Sequence, residues 1–148
     1  MKKILILFSL LILMGSVFAQ DSSIDYLFSN PESGVAEYNE NIGNVPKSIK
    51  SLVGSEKILV YIIGENQTRH ITLTMNKAMI ESYSFEEDDT ATLVVNAKEE
   101  AANRILSSNE KIAELKIAMK NKEITYQSRG IFKKIKFGFA KFALNFVK

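Results

Sequence analysis

Residues 57–75 read KILVYIIGENQTRHITLTM, and the fold turns on how they pattern. Lys57–Ile63 is a continuous apolar run of strand length, rich in β-branched residues. Residues 64–67, GENQ, have the composition of a turn. Thr68–Met75 then alternates, with Ile71, Leu73 and Met75 on one side and Thr68, His70, Thr72 and Thr74 on the other. An apolar run, a turn and an alternating run predict a β-hairpin.

On the C-terminal side, Asn76-Lys77 turns the chain into AMIESYSF (residues 78–85), where Met79, Tyr83 and Phe85 share a face by alternation. The acids Glu86, Glu87, Asp88 and Asp89 form a loop, and TATLVV (residues 90–95) reads as a fourth strand. The period then lengthens. Asn96 and Glu99 have capping-box spacing, and Ala101, Ala102, Ile105 and Leu106 form a helical stripe. Ser107 with Glu110 predicts a second cap, before Ile112, Leu115 and Met119. KEITYQ (residues 122–127) is a fifth strand, and Gly130 opens a last helix.

On the N-terminal side, Val35, Tyr38, Ile42, Val45, Ile49 and Leu52 step by three and four. Gly43 and Pro46 interrupt that face, so it predicts a helix near 34–42 and another near 45–53, stopped at Gly54. Residues 20–33 read as a flexible lead-in. Residues 1–19 carry Lys2 and Lys3, an apolar run from Ile4 to Met14, and small residues ending at Ala19, the order of a secretory signal. The apolar run is short for a membrane span, which takes about 20 residues. The expected product is exported, to an extracellular, periplasmic or cell-surface location. The alternative is a chain tethered by an uncleaved signal anchor. No cysteine follows, which excludes lipid modification of the bacterial lipoprotein kind and leaves the domain without disulfides.

The element order therefore predicts an α+β domain over 34–148. It has a five-stranded, mostly antiparallel sheet covered on one face by helices, with a long amphipathic C-terminal helix. Three stretches of this domain resemble the sterol-carrier-protein family, whose domains bind fatty acids, sterols and other apolar lipids. TATLVVNAKEEAANRI (residues 90–105) is similar to the family's strand leading into a helix. NKEITYQSRG (residues 121–130) is similar to its strand before the final helix, with Asn121 where the family usually has glycine. VPKSIKSLVGSEKILVYI (residues 45–62) is similar to the entry helix and first strand of a short prokaryotic branch. The resemblance implies an apolar tunnel between the sheet and the C-terminal helix.

Charge is unevenly placed. Without Lys2 and Lys3 the chain holds 17 basic and 17 acidic residues, yet residues 129–148 carry six basic side chains and no acid. Residues 20–128 are thus at −6, which argues against a nucleic-acid partner. At 100° per residue, Ile131, Phe132, Ile135, Phe139, Phe142, Ala143 and Phe146 fall on one side of a helix about 27 Å long. Six large side chains there would contribute on the order of 10 kcal/mol gross on burial. Lys133, Lys134, Lys141 and Lys148 fall opposite, with Phe137 and Leu144 among them. Those two residues either pack under a neighbouring segment or dip into an anionic membrane surface, where each lysine contributes about 1 kcal/mol. A partner protein is the third choice.

Motifs for chemistry are lacking. His70 is the single histidine, so no Cys/His zinc set exists, and no G-x-S-x-G or glycine-rich phosphate loop occurs. The acidic run lacks the spacing of a calcium loop. Asn66-Gln67-Thr68 matches a glycosylation sequon. The expected function is a non-enzymatic binding module for an apolar small molecule or lipid, without cofactor or metal. Its walls would be Ile71, Leu73, Met75, Met79, Tyr83, Phe85, Leu115 and Met119, closed by Phe132, Ile135, Phe139 and Phe142. The rival expectations are a dry core built from the same residues, and a scaffold that docks a membrane or partner through its tail.

Overall fold

A computed structural model describes residues 23–44 and 55–129. Its elements are α1 (Ile24–Ser29), α2 (Pro31–Asn41), a 3-10 turn (Ile42–Asn44), β1 (Lys57–Ile63), β2 (Thr68–Asn76), β3 (Met79–Ser84), β4 (Leu93–Lys98), α3 (Glu99–Ser107), α4 (Lys111–Lys120) and β5 (Ile124–Ser128). The strands form one sheet in the order β3-β2-β1-β4-β5. The β1–β4 pair is parallel and the other three are antiparallel, so the fold is α+β with a mixed sheet. The expected helix at 45–53, the signal segment and the C-terminal helix lie outside the described residues.

β1 is apolar at every position but one because both its faces are covered. Ile58, Val60 and Ile62 point into the main core, with Leu73, Met75, Ile80, Leu93, Val95 and Ile124 from the other strands. The helices close over this face with Ile24, Tyr38, Ala101, Ala102, Ile105, Leu106, Leu115 and Ala118. On the outer face Leu59 and Val94 pack with Ala91. Ala91 belongs to the 85–92 connection, which returns the chain across this face from β3 to β4. Glu86 C=O accepts from Thr72 Oγ1 at 2.8 Å, and Lys57 Nζ meets Asp88 at 2.7 Å.

Four sequence expectations need correction. The lead-in is helical from Ile24: Ser23 Oγ caps Tyr26 N–H, and Ile24 is buried with its own N–H bonded to Asn103 Oδ1 at 2.8 Å. α2 starts at Pro31, whose fixed φ suits a first turn, rather than at residue 34. β4 starts at Leu93, not Thr90, because Thr90 N–H and hydroxyl close on Asp88 Oδ1 in a side-chain turn. Neither predicted cap forms. Asn96 is a strand residue between Tyr61 and Thr125, and Ser108 rather than Ser107 accepts the Glu110 N–H.

Candidate functional site

The twelve wall residues divide three ways. Leu73, Met75 and Leu115 are buried in the main core, and Ile71, Tyr83 and Met119 are half-buried against it. Six side chains from β2, β3 and α4 therefore do meet in one apolar cluster. Met79 and Phe85 are 44% and 45% exposed. Phe132, Ile135, Phe139 and Phe142 lie outside the described residues, as do Lys133, Lys134, Phe137, Lys141, Leu144 and Lys148.

Met79 is a correction with a clear cause. Met75 pairs with Ile80, but Thr74 pairs with Ser82, so Glu81 is an extra residue on β3. Such a bulge flips the alternation beyond it. Ile80, not Met79, joins Tyr83 on the core side, and Ile80 is buried.

Beside this cluster Tyr83 and Phe85, which alternation puts on one face, form an aromatic rim with Phe28, which the sequence pattern did not reveal. Phe28 of α1 stands 5.8 Å from Phe85, and Phe85 stands 5.8 Å from Tyr83, edge-on. Arg69 places its guanidinium 4.9 Å from the Phe28 ring centroid. It also pairs with Asp25 at 2.7 Å and with Glu99 at 3.1 Å. Arg69 thus ties α1 and the start of α3 to β2. The signal that would have found it is alternation, since residues 69, 71, 73 and 75 share one side and only the first is charged. Burial, and then the nearby Glu32 carboxylate, raises the Tyr83 hydroxyl above its ordinary pKa; the two side chains meet at 3.4 Å.

The outer face is polar. His70 Nδ1 is 3.9 Å from Glu87, and the His70 ring lies 6.0 Å from that of Tyr61. Burial, then a hydrogen bond and charge from Glu87, raises the Tyr61 pKa. Asp88 moves the other way. Lys57 and Thr90 hold it down to about 2. An open cleft of about 130 Å³ lies here among Thr72, Thr74, Ser82 and Ser84. A larger open cleft, about 560 Å³, lies between the β1–β2 turn and the start of α3, lined by Gly64, Glu65, Asn66, Glu99 and Asn103 among others. At Gly64 the Glu99 carboxylate lies close, and a Cβ would stand 2.6 Å from its Oε2 and 3.1 Å from the Gln67 carbonyl oxygen. Among the described residues no group of three His, Asp or Glu could hold a metal ion, and no helix is long and apolar enough to cross a membrane.

No protein-family model matches this chain, and no curated protein does. Among solved structures, a double mutant of the sec-alkyl sulfatase PisA1 shows a partial likeness, with 16% identity and a TM-score of 0.38. The aligned region covers 65% of this chain and only 16% of that one, and at this TM-score the likeness carries no argument about function.

Proposed function

We propose that this protein is an exported, non-enzymatic binding module for an apolar ligand, a fatty acid or other lipid, of sterol-carrier-like architecture. The ligand would sit on the helix-bearing side of the sheet, under an amphipathic C-terminal helix. The observation that carries the proposal is the continuity of apolar surface on that side. It runs from the buried core at Leu73 and Met75, through half-buried Ile71, Tyr83 and Phe28, to Phe85 at 45% exposure. A ligand chain laid along this rim would extend the core outward, and apolar burial would supply its affinity at about 0.8 kcal/mol per CH₂. Phe132, Ile135, Phe139 and Phe142 would supply the covering surface.

The test is to purify the chain from residue 20 onward, extract it and identify bound lipid by mass spectrometry. Co-purifying lipid, displaced by a fluorescent fatty acid, is expected. Phe85→Asp should weaken fatty-acid binding about tenfold or more, since it puts a charge on the rim. Protein that carries no lipid and binds no fatty acid overturns the reading. One observation favours a second reading, docking on an anionic membrane: six basic side chains and no acid in residues 129–148. In that case the lipid-free protein floats with anionic liposomes, and Phe137→Ser with Leu144→Ser abolishes flotation.

A further inference from the structure

Two consecutive residues of α2 hold β3, the strand at one end of the sheet among the described residues. Tyr38, fully buried, donates its hydroxyl to Ala78 C=O at 2.7 Å. Asn39 spans Ile80: its Oδ1 accepts from the Ile80 N–H, and its Nδ2 donates to the Ile80 C=O, each at 2.9 Å. Among the described residues β3 is the outermost strand on this side. The Ile80 main-chain groups that Asn39 takes are therefore those a further strand would pair with. A carboxamide bonded to both imitates one residue of such a strand.

Among the described residues the rest of β3 is thinly defended. It has no proline or lysine, its one charge is Glu81 at the bulge, and Ser82 and Ser84 are exposed. We propose that Asn39 is an edge guard, and that it excludes the β3 edge of a second copy of this chain. Two identical edges meet antiparallel about a two-fold axis, so this edge is complementary to itself. The bulge at Glu81 breaks the regular ladder on one side of Ile80. Asn39 closes the position beside it, where pairing would otherwise start.

The test replaces Asn39 with Ala and follows mass by sedimentation velocity over a range of concentrations. Exchange at the Ile80 amide is recorded alongside. The expected result is faster exchange at Ile80 and a mass above wild type that rises with concentration. Adding Ser82→Lys, a charge on the exposed edge, should return the mass to wild type. Tyr38→Phe is the control. It removes the neighbouring bond and destabilises the fold but leaves Asn39 in place, so its mass should equal wild type. Asn39→Ser, too short to span both groups, carries the same expectation as Asn39→Ala if the latter does not fold. Wild-type mass in a folded Asn39 variant with fast Ile80 exchange overturns the proposal. So does an equal mass increase in Tyr38→Phe, which would tie association to instability and not to the edge.

Discussion

Asp88 accepts from Lys57 Nζ at 2.7 Å and from the Thr90 N–H at 2.8 Å, and these bonds favour its charged form. Its pKa falls from 3.8 to about 2. A carboxylate depressed on folding contributes stability that is complete above the unfolded value and is lost as pH falls through the folded one. The window is therefore about pH 4 to pH 2. Asp88→Asn should flatten the acid limb of the stability curve there, measured by denaturant unfolding at pH 2 to 5. A variant curve parallel to wild type would show that the Lys57 bridge does not form in solution. Tyr38 makes a different kind of bond, buried and neutral. Tyr38→Phe leaves the Ala78 carbonyl inside without a partner, and should cost about 1–3 kcal/mol by urea unfolding. Ala78 also sits at φ 71, beside Lys77 at φ 50, in a tight turn that usually takes Asn-Gly. The Tyr38 hydroxyl helps hold that strained backbone.

At the scale of elements, α4 ends in a Schellman motif. Glu123 N–H returns to Ala118 C=O at 2.8 Å, Lys122 N–H to Met119 C=O at 3.1 Å, and Lys122 takes the left-handed position at φ 57. A side chain there costs roughly 1–2 kcal/mol, while glycine loses about 0.5–1 kcal/mol through the unfolded chain. Lys122 is exposed, so no packing offsets the difference. Lys122→Gly should raise stability by up to about 1 kcal/mol, seen as a higher melting temperature. A drop would mean that the lysine makes a compensating contact. The hairpin of β1 and β2 was legible because its signals are local: an apolar run, a short polar turn and strict alternation. Errors came where a non-local partner decides. Asn96 is as good a cap as a strand residue in sequence, and it is a strand residue because β1 and β5 flank it. α1 has only six residues, too short to hold as an isolated helix, and it folds because Ile24 is buried, Asn103 holds its first N–H and Arg69 holds Asp25. The Glu81 bulge leaves no mark in the residue pattern, so alternation put Met79 on the wrong side.

For the whole molecule, the deciding contact is the parallel pairing of β1 with β4. The meander β1–β2–β3 closes on neighbours in sequence, whereas β4 reaches β1 only after the chain crosses the outer face. Every apolar layer passes through these two strands: Ile58 and Leu93 meet on the helix side, and Leu59 and Val94 on the other. That explains why the shared side of Tyr83 and Phe85 was legible and their contact with α1 was not. Alternation marks the residues of one strand that point inward, but the Phe28–Phe85–Tyr83 contact joins α1 to β3 across more than fifty residues of sequence. The same architecture predicts an order of local stability. β1 and β4 have strands on both sides, and Ile58, Leu59, Leu93 and Val95 are at most 1% exposed. β3 and β5 are the edges among the described residues, and β5 has only five residues. Amides of β1 and β4 should therefore exchange only on global unfolding, while those of β3 and β5 open sooner, with the Asn39-bonded Ile80 amide the slowest of its strand. Hydrogen exchange read by NMR resolves this order. If β4 exchanged as freely as β5, the meander would be a cooperative unit by itself, and the parallel pair would not be what joins the two halves of the chain.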